Sequence, residues 1–535
     1  MQVVWFKRDL RVVDHAPLAA AALHGAVCPV FIDEPSVLLA QDQSTQHALF
    51  REECLEELSS DLLALGAPLQ RVRGEATDVL ERIWQRCAFS DLWSHEETGN
   101  DLSFQRDRAV QVWCRQRGVA WHELPQHGVV RRLASRNGWA KRWDARMRAP
   151  LQDTPPELVA GMPPHAFAQG WMPCIPVGSD KPGRQRGGRL QALSLLGSFL
   201  TERGIDYRRA MSSPLSATEA CSRLSPYLAF GVLSMRETVH AVLHRAKELR
   251  DAPAEARPPG LLASLKSFEG RLHWHCHFMQ KLESQPDIEF HNIHRGFDGL
   301  REAQFDPVLF EAWKSGQTGY PLVDACMRML AATGWINFRM RAMLVSFAAY
   351  QLWLHWRQPA LHLAREFLDY EPGIHYSQMQ MQSGVTGINT LRIYNPVKQA
   401  RDQDPHGHFV RQWIPALAGV PDDWIFEPWK MPHALQARFA CRLGLDYPLP
   451  VVDHEVAART ARARIGARRK EEPVRIESRA VMERHGSRKR RAGPAGRAAG
   501  ARQTRAATPG STDAQSGGPS PGQPTPQGEF DFGRE

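Results

Sequence analysis

Short apolar runs alternate with longer amphipathic ones over the first 125 residues. VVWFKR, AVCPVFID, LQRVRG, DLWSHEE and VAWHELP have the length and the β-branched and aromatic content of strands. Between them, residues 16–24, 44–65, 76–87 and 104–117 carry apolar positions at helical spacing. That alternation predicts a doubly wound parallel sheet with helices on both faces. Gly74-Glu75-Ala76-Thr77 sits between a strand and a helix, as a phosphate loop would. A plain turn with Thr77 as helix N-cap accounts for the same residues more economically.

Periodicity fades over residues 131–185, which are rich in Pro and Trp, the pattern of a long segment wrapping one domain onto the next. Helical spacing returns with GRLQALSLLGSFL and is densest from Trp313 to Gln399. Leu322, Cys326, Met329 and Leu330 mark a buried helix, with Pro321 suited to its first turn and Gly334 ending it. A second helix is predicted to begin near Trp335, which places Asn337 and Arg341 one turn apart on one face. Residues Ala342 to Leu354 are almost wholly apolar, so the Arg341 guanidinium enters a core and needs an anionic partner there. Asp369 and Glu371 are the nearest candidates along the chain. One guanidinium and two carboxylates stabilise a core poorly, yet they suit a polar planar ligand.

Composition changes this picture at the chain's end. From Ala457 onward there are 17 Lys and Arg against 8 Asp and Glu, while the preceding 456 residues hold 50 of each. The net charge of +9 therefore lies in the tail, which reads equally as a nonspecific nucleic-acid arm or as a solvated extension; a nucleic-acid groove on the body must be a local basic patch. ARTARARIGARRK and HGSRKRRAGPAGR give way to Pro, Gly, Ser and Gln, so residues 457–535 are expected to be a disordered basic tail. The expected domains are 1–130, a linker 131–190, a helical domain 191–456 and that tail. No window of about 18 apolar residues exists, and the charged N-terminus lacks a signal sequence, so a cytoplasmic protein without a membrane span is expected. Nine cysteines without a CxxC pair argue for reduced thiols and against zinc. His273, His275 and His277 do not share a helix face, so no metal site is expected there either.

TGYPLVDACMRMLAATGW, followed by NFRMR, an Asp-x-Glu pair and RIYNPVKQ, resembles the flavin domain of the photolyase/cryptochrome family. WFKRDLRVVDHAPL and SRLSPYLAFGVLS resemble its other motifs, in the same order, over residues 1–450. The resemblance implies an α/β antenna domain and an all-α FAD-binding domain. It implies one of two activities: light-driven splitting of pyrimidine dimers in damaged DNA, or blue-light reception without repair. The family's second chromophore, a folate or a deazaflavin, is left undecided by HEETGNDLSFQRD. The scattered cysteines speak against the family's iron–sulfur branch. A monomer is expected.

The same resemblance assigns roles to residues. Tyr207 and the stretch Cys221, Ser222, Arg223, Leu224, Ser225 are expected at the flavin phosphates, with the two serines at a helix N-terminus suited to an anion. Asn337, Arg341, Asp369, Tyr370, Glu371 and His375 are expected around the flavin ring and ribose. Trp274 belongs to the substrate pocket, Arg339 and Met381 are expected DNA contacts, and Trp356 falls in the middle of a photoreduction chain. His375 aligns beside the flavin N5, where an imidazole can hydrogen-bond or give a proton near neutral pH. Several positions depart from the repair enzymes. His375 and Phe338 stand where those have Asn, Met379 and Met381 where they have Trp, and Arg271 where they have an acid. The outer chain position falls near Ala303, with no Trp beside it in the sequence.

Overall fold

The computed structural model describes residues 1–167 and 172–486. Five parallel strands, β1 (Gln2–Phe6), β2 (Val27–Asp33), β3 (Gln70–Arg73), β4 (Asp91–His95) and β5 (Ala120–Leu124), form one sheet in the order β3-β2-β1-β4-β5. Val3 of β1 pairs with Cys28 of β2 and Leu92 of β4, so β1 is central. Its side chains alternate between two cores, as strand geometry requires. Val4 and Phe6 face helices α1 (Ala16–Leu23) and α2 (Thr45–Ala64), through Leu18, Phe50 and Leu58. Val3 and Trp5 face α3 (Ala76–Cys87) and α4 (Asp101–Arg117), through Val79, Ile83 and Val110. The doubly wound sheet is thus present. The cap of α3 differs from expectation: Glu75, not Thr77, is the N-cap residue, and its carboxylate accepts bonds from the Ser36 N–H and hydroxyl.

The stretch expected to be an irregular linker contains a helix, α5 (Trp139–Arg148), which buries Trp139, Trp143 and Met147. Only those three positions, one turn apart, are anchored, and the polar residues between them hide the period. From α6 (Arg189–Ser198) onward the chain is helical. The elements that matter for the site are α7 (Leu261–Ser284), α8 (Pro321–Thr333), α9 (Phe338–Ser346, continued as a π turn over Phe347–Gln351) and α10 (Pro372–Gln382). Gly334 closes α8 at φ +71°, a left-handed conformation suited to glycine, and lets the chain reverse into α9.

The expected tail is corrected over its first third. Two helices, α11 (His454–Lys470) and α12 (Glu472–His485), pack on the helical domain. Ala461, Ile465, Val474 and Val481 are buried, Arg468 donates to the carbonyls of Gly296 and Asp298, and Glu477 accepts from the backbone of Arg295 and Gly296. So few apolar residues per turn read as a solvated segment, although they suffice when the rest of the helix bonds to its neighbours. Residues 487–535, where the remaining disorder was expected, lie outside the described residues. No helix among the described residues is long and apolar enough to cross a membrane.

Candidate functional site

Helix α9 carries Arg341, which meets Asp369 in a two-point ion pair with both N···O distances 2.9 Å. Its Nε donates to the Ile336 carbonyl, which fixes the fork. Burial pushes the Asp369 carboxyl up, but the Arg341 charge and hydrogen bonds, with one from Ser225, outweigh it and hold the group below the usual carboxylate range. Asn337, the N-cap residue of α9, donates to the carbonyls of Met211 and Ser212, which leaves its Oδ1 buried without a partner.

Glu371 does not share Arg341. Its Oε2 lies 3.0 Å from a guanidinium nitrogen of Arg8, which comes from the far side of the sequence, just past β1. Its Oε1 is buried without a partner, and burial raises its carboxyl above the ordinary range despite Arg8. His275 on α7 supplies a third buried atom without a partner, Nδ1; burial pushes its ring down to about 4, with the Arg8 charge adding to that and the Asp369 charge opposing. Sequence reasoning missed both Arg8 and His275. The only signal was their membership of WFKRDLR and GRLHWHCHF. Asn337 Oδ1, Glu371 Oε1 and His275 Nδ1, buried without partners, can bond the polar edge of a heteroaromatic ligand, so these residues suit FAD.

The phosphate stretch is shaped by neighbouring arginines. Arg203 donates to the carbonyls of Glu219, Cys221 and Ser222. Arg223 adopts φ +60° and stacks on Trp335 at 4.0 Å. The Ser222 hydroxyl accepts from the Leu224 N–H, Leu224 is buried, and burial raises the Cys221 thiol to about 12. Tyr207 is buried edge-on to Phe199 and Phe268, with Arg271 at its hydroxyl.

Two expected ring contacts are spent elsewhere. The Tyr370 hydroxyl donates to Asp42 at 2.8 Å, joining the two domains. His375 donates from Nε2 to the Ala360 carbonyl at 2.8 Å, and burial pushes its ring down to about 4. The ring is therefore neutral near pH 7, with its one proton on the nitrogen pinned to the backbone and Nδ1 left as an acceptor. In that state Nδ1 can still accept a hydrogen bond, one of the two roles expected of the ring.

Trp274, half-buried on α7, lies edge-on to His277 at 4.7 Å and 5.6 Å from Phe278. Trp356 is fully buried, donates to Asn292 at 2.7 Å and lies 6.4 Å from Tyr376. Met379 is buried in the core, Met381 and Arg339 are half-buried, and Phe338 is exposed. Trp353 lies between the guanidiniums of Arg301 (4.5 Å) and Arg464 (4.9 Å). Arg464 also donates to Gln304, next to Ala303.

Two features lie in the α/β domain. A crevice opens beyond the C-terminal ends of β1, β2 and β4, lined by Trp5, Phe31, Asn100, Arg106, Arg8 and Tyr370 among others. It sits at the point where strand order reverses, the usual ligand site of such sheets. Glu34 in its wall is pushed up to about 7 by burial, against the Arg106 charge. Nearby, Asp9, His15 and His95 bring three ligand-type atoms within 4.8 Å, as no other such group does among the described residues. Their hydrogen bonds close within the chain: both rings bond Asp9 Oδ2, at 2.9 and 2.7 Å, and His15 Nδ1 accepts from Leu18 to cap α1.

A parallel α/β domain joined to a helical domain whose polar pocket suits FAD defines a class of flavoprotein. Residues 2–153 match the family model of DNA photolyase and residues 268–467 that of the FAD binding domain of DNA photolyase. The chain is 32% identical to a deoxyribodipyrimidine photo-lyase of Streptomyces griseus, over 86% of this chain and 98% of that one. It is 30% identical to Cryptochrome-2 of Arabidopsis thaliana, over 85% and 77% respectively. Among solved structures, a bacterial class III photolyase from Agrobacterium tumefaciens superposes with a TM-score of 0.75 at 26% identity, over 88% of this chain and 98% of that one. This chain belongs to the photolyase/cryptochrome family and carries its FAD-binding domain.

Proposed function

We propose that this protein repairs pyrimidine dimers in DNA by FAD-dependent, light-driven splitting. The observation that carries the reading is the buried Arg341–Asp369 pair, together with the unpartnered buried atoms of Asn337, Glu371 and His275. Bound FAD would supply the absorption of blue light and the electron that splits the dimer. The chain's own residues hold it: Arg341 and Asp369 fix its orientation, and Glu371, Asn337 and His275 accept its donors. Trp274 offers an aromatic wall to a flipped-out lesion, whose unstacking cost is lower than that of a sound base. Arg339 would contact backbone phosphate. The relatedness to a photo-lyase over nearly that protein's whole length supports the lyase reading.

The second reading is a blue-light receptor without repair. Phe338, which cannot make the polar contact of an Asn, and the balanced charge of residues 1–456 favour it. Either way the α/β crevice is the proposed seat of a second, planar chromophore. The decisive experiment gives the chemically prereduced protein a dimer-containing oligonucleotide under blue light. Loss of dimers with turnover is expected. Full FAD content without dimer loss would leave the receptor reading.

A further inference from the structure

Arg8 belongs to two sites at once. Its Nε donates to the Ala229 carbonyl and its Nη2 to the Tyr370 carbonyl, both at 3.0 Å, and the same Nη2 lies 3.0 Å from Glu371 Oε2. The side chain is 27% exposed, and what it faces is the crevice, whose wall it shares with Tyr370 and Pro372, the two residues flanking Glu371. Among the described residues, Arg8 is the only basic group in ion-pair contact with Glu371. We propose that Arg8 is a positioning residue shared between the two sites: it holds Glu371 for the flavin, and an anionic planar ligand in the crevice competes for its guanidinium, so that crevice occupancy is felt at the flavin pocket.

The inference rests on the FAD reading above. Its physical basis is the balance of groups around Glu371. Burial favours the neutral acid and Glu97 adds a like charge, while Arg8 and the Gly373 N–H favour the carboxylate. The other titratable groups that feel Arg8 are His47 and His275, whose rings its charge helps keep neutral. Drawing Arg8 toward a crevice anion weakens the main force that keeps Glu371 charged. A carboxylate beside an arginine typically titrates about one to three units lower than it would without it, which sets the scale of the effect. Coupling of this kind is reciprocal, so protonating Glu371 should tighten anion binding in the crevice by the same factor.

Infrared difference spectra of the full-length protein across pH read the Glu371 carboxyl, identified as the band lost in Glu371→Gln. Flavin content is measured separately on the same samples. FMN, a planar phosphate-bearing probe, should raise the midpoint in the wild type. Arg8→Gln should raise it by about one to three units and abolish the response to FMN. Arg8→Lys, which keeps the charge, should restore most of the midpoint and serves alone if Arg8→Gln does not fold. An unmoved midpoint in Arg8→Gln, or one in Arg8→Lys as high as in Arg8→Gln, would overturn the positioning role. FMN that fails to bind, binds without a shift, or shifts wild type and Arg8→Gln alike would overturn the coupling. A protein that titrates as expected yet never holds FAD would instead sink the flavin reading, and these results are distinguishable.

Discussion

At the residue scale, the Arg341–Asp369 pair sets the clearest expectation. Asp369→Ala leaves a mostly buried guanidinium without its carboxylate, and Arg341 is only 22% exposed. The variant should lose FAD on purification and about 3 kcal/mol of stability, near the lower end for a broken buried pair. Stoichiometric flavin in that variant would refute the assignment. The relay residues give a second expectation. Photoreduction should be slow, because Met379 stands where an oxidisable ring is needed. Met379→Trp should help only in part, since it restores one of the two relay positions at which the chain departs from the resemblance. The flavin absorbance decay under matched light and thiol measures both. Arg341's need for a partner was legible in the sequence because the residues after it are so apolar. Arg8 and His275 were not, because nothing local marks residues whose partners lie about a hundred positions away or more.

At the scale of elements, the sheet was readable and the chain's end was not. The central strands β1 and β2 carry nearly continuous apolar runs and are wholly buried, since a parallel sheet is covered on both faces, while β3, β4 and β5 are more polar and were legible from the alternation with helices. Helices α5, α11 and α12 bury one residue per turn or fewer, and their remaining residues look solvated. The difference has a consequence for truncation. Removing residues 454–535 exposes Tyr320, whose hydroxyl donates to the Val452 carbonyl and accepts from the His454 N–H, and uncovers His294, bonded to Val474 and Ser478. The melting temperature should fall by several degrees. Removing only 487–535 should leave melting and flavin spectrum unchanged, while it flattens the salt dependence of DNA binding, because phosphate neutralisation sets that slope. Equal melting of the two truncations would mean that α11 and α12 stabilise nothing.

At the scale of the whole molecule, buried histidines dominate the response to acid. Burial pushes His47, His275 and His375 to about 4 and, with neighbouring charge, His95 and His362 to about 3. In the unfolded chain each titrates near 6.5. Between those values the unfolded state binds more protons, so stability rises with pH across that window and is lost on acidification from about 6.5 towards 4, by up to about 1.4 kcal/mol per unit for each ring. The lowered carboxyls, Asp9 and Asp369 among them, lose their contribution only below the usual carboxylate range. Thermal melts at pH 7 and pH 5 should differ by several degrees, and His375→Asn should shrink the difference. A flat profile over that interval would mean that these rings are charged in the native protein.

The junction between the domains also has a timetable. The start of α2 is bonded to the segment that precedes and carries the flavin pair: Ser44 and Gln46 donate to the Arg365 carbonyl, His47 to that of Phe367, and Asp42 accepts from Tyr370. These partners are 319 to 328 residues apart. At about 5–20 residues per second, a ribosome needs roughly 15 to 60 seconds to go from one side of that seam to the other. For that long the start of α2 presents unanswered polar groups, and the flavin pocket cannot close before synthesis is about seven-tenths complete. Codon usage or temperature that lengthens this interval should therefore lower the yield of flavin-loaded protein without altering a single residue of it.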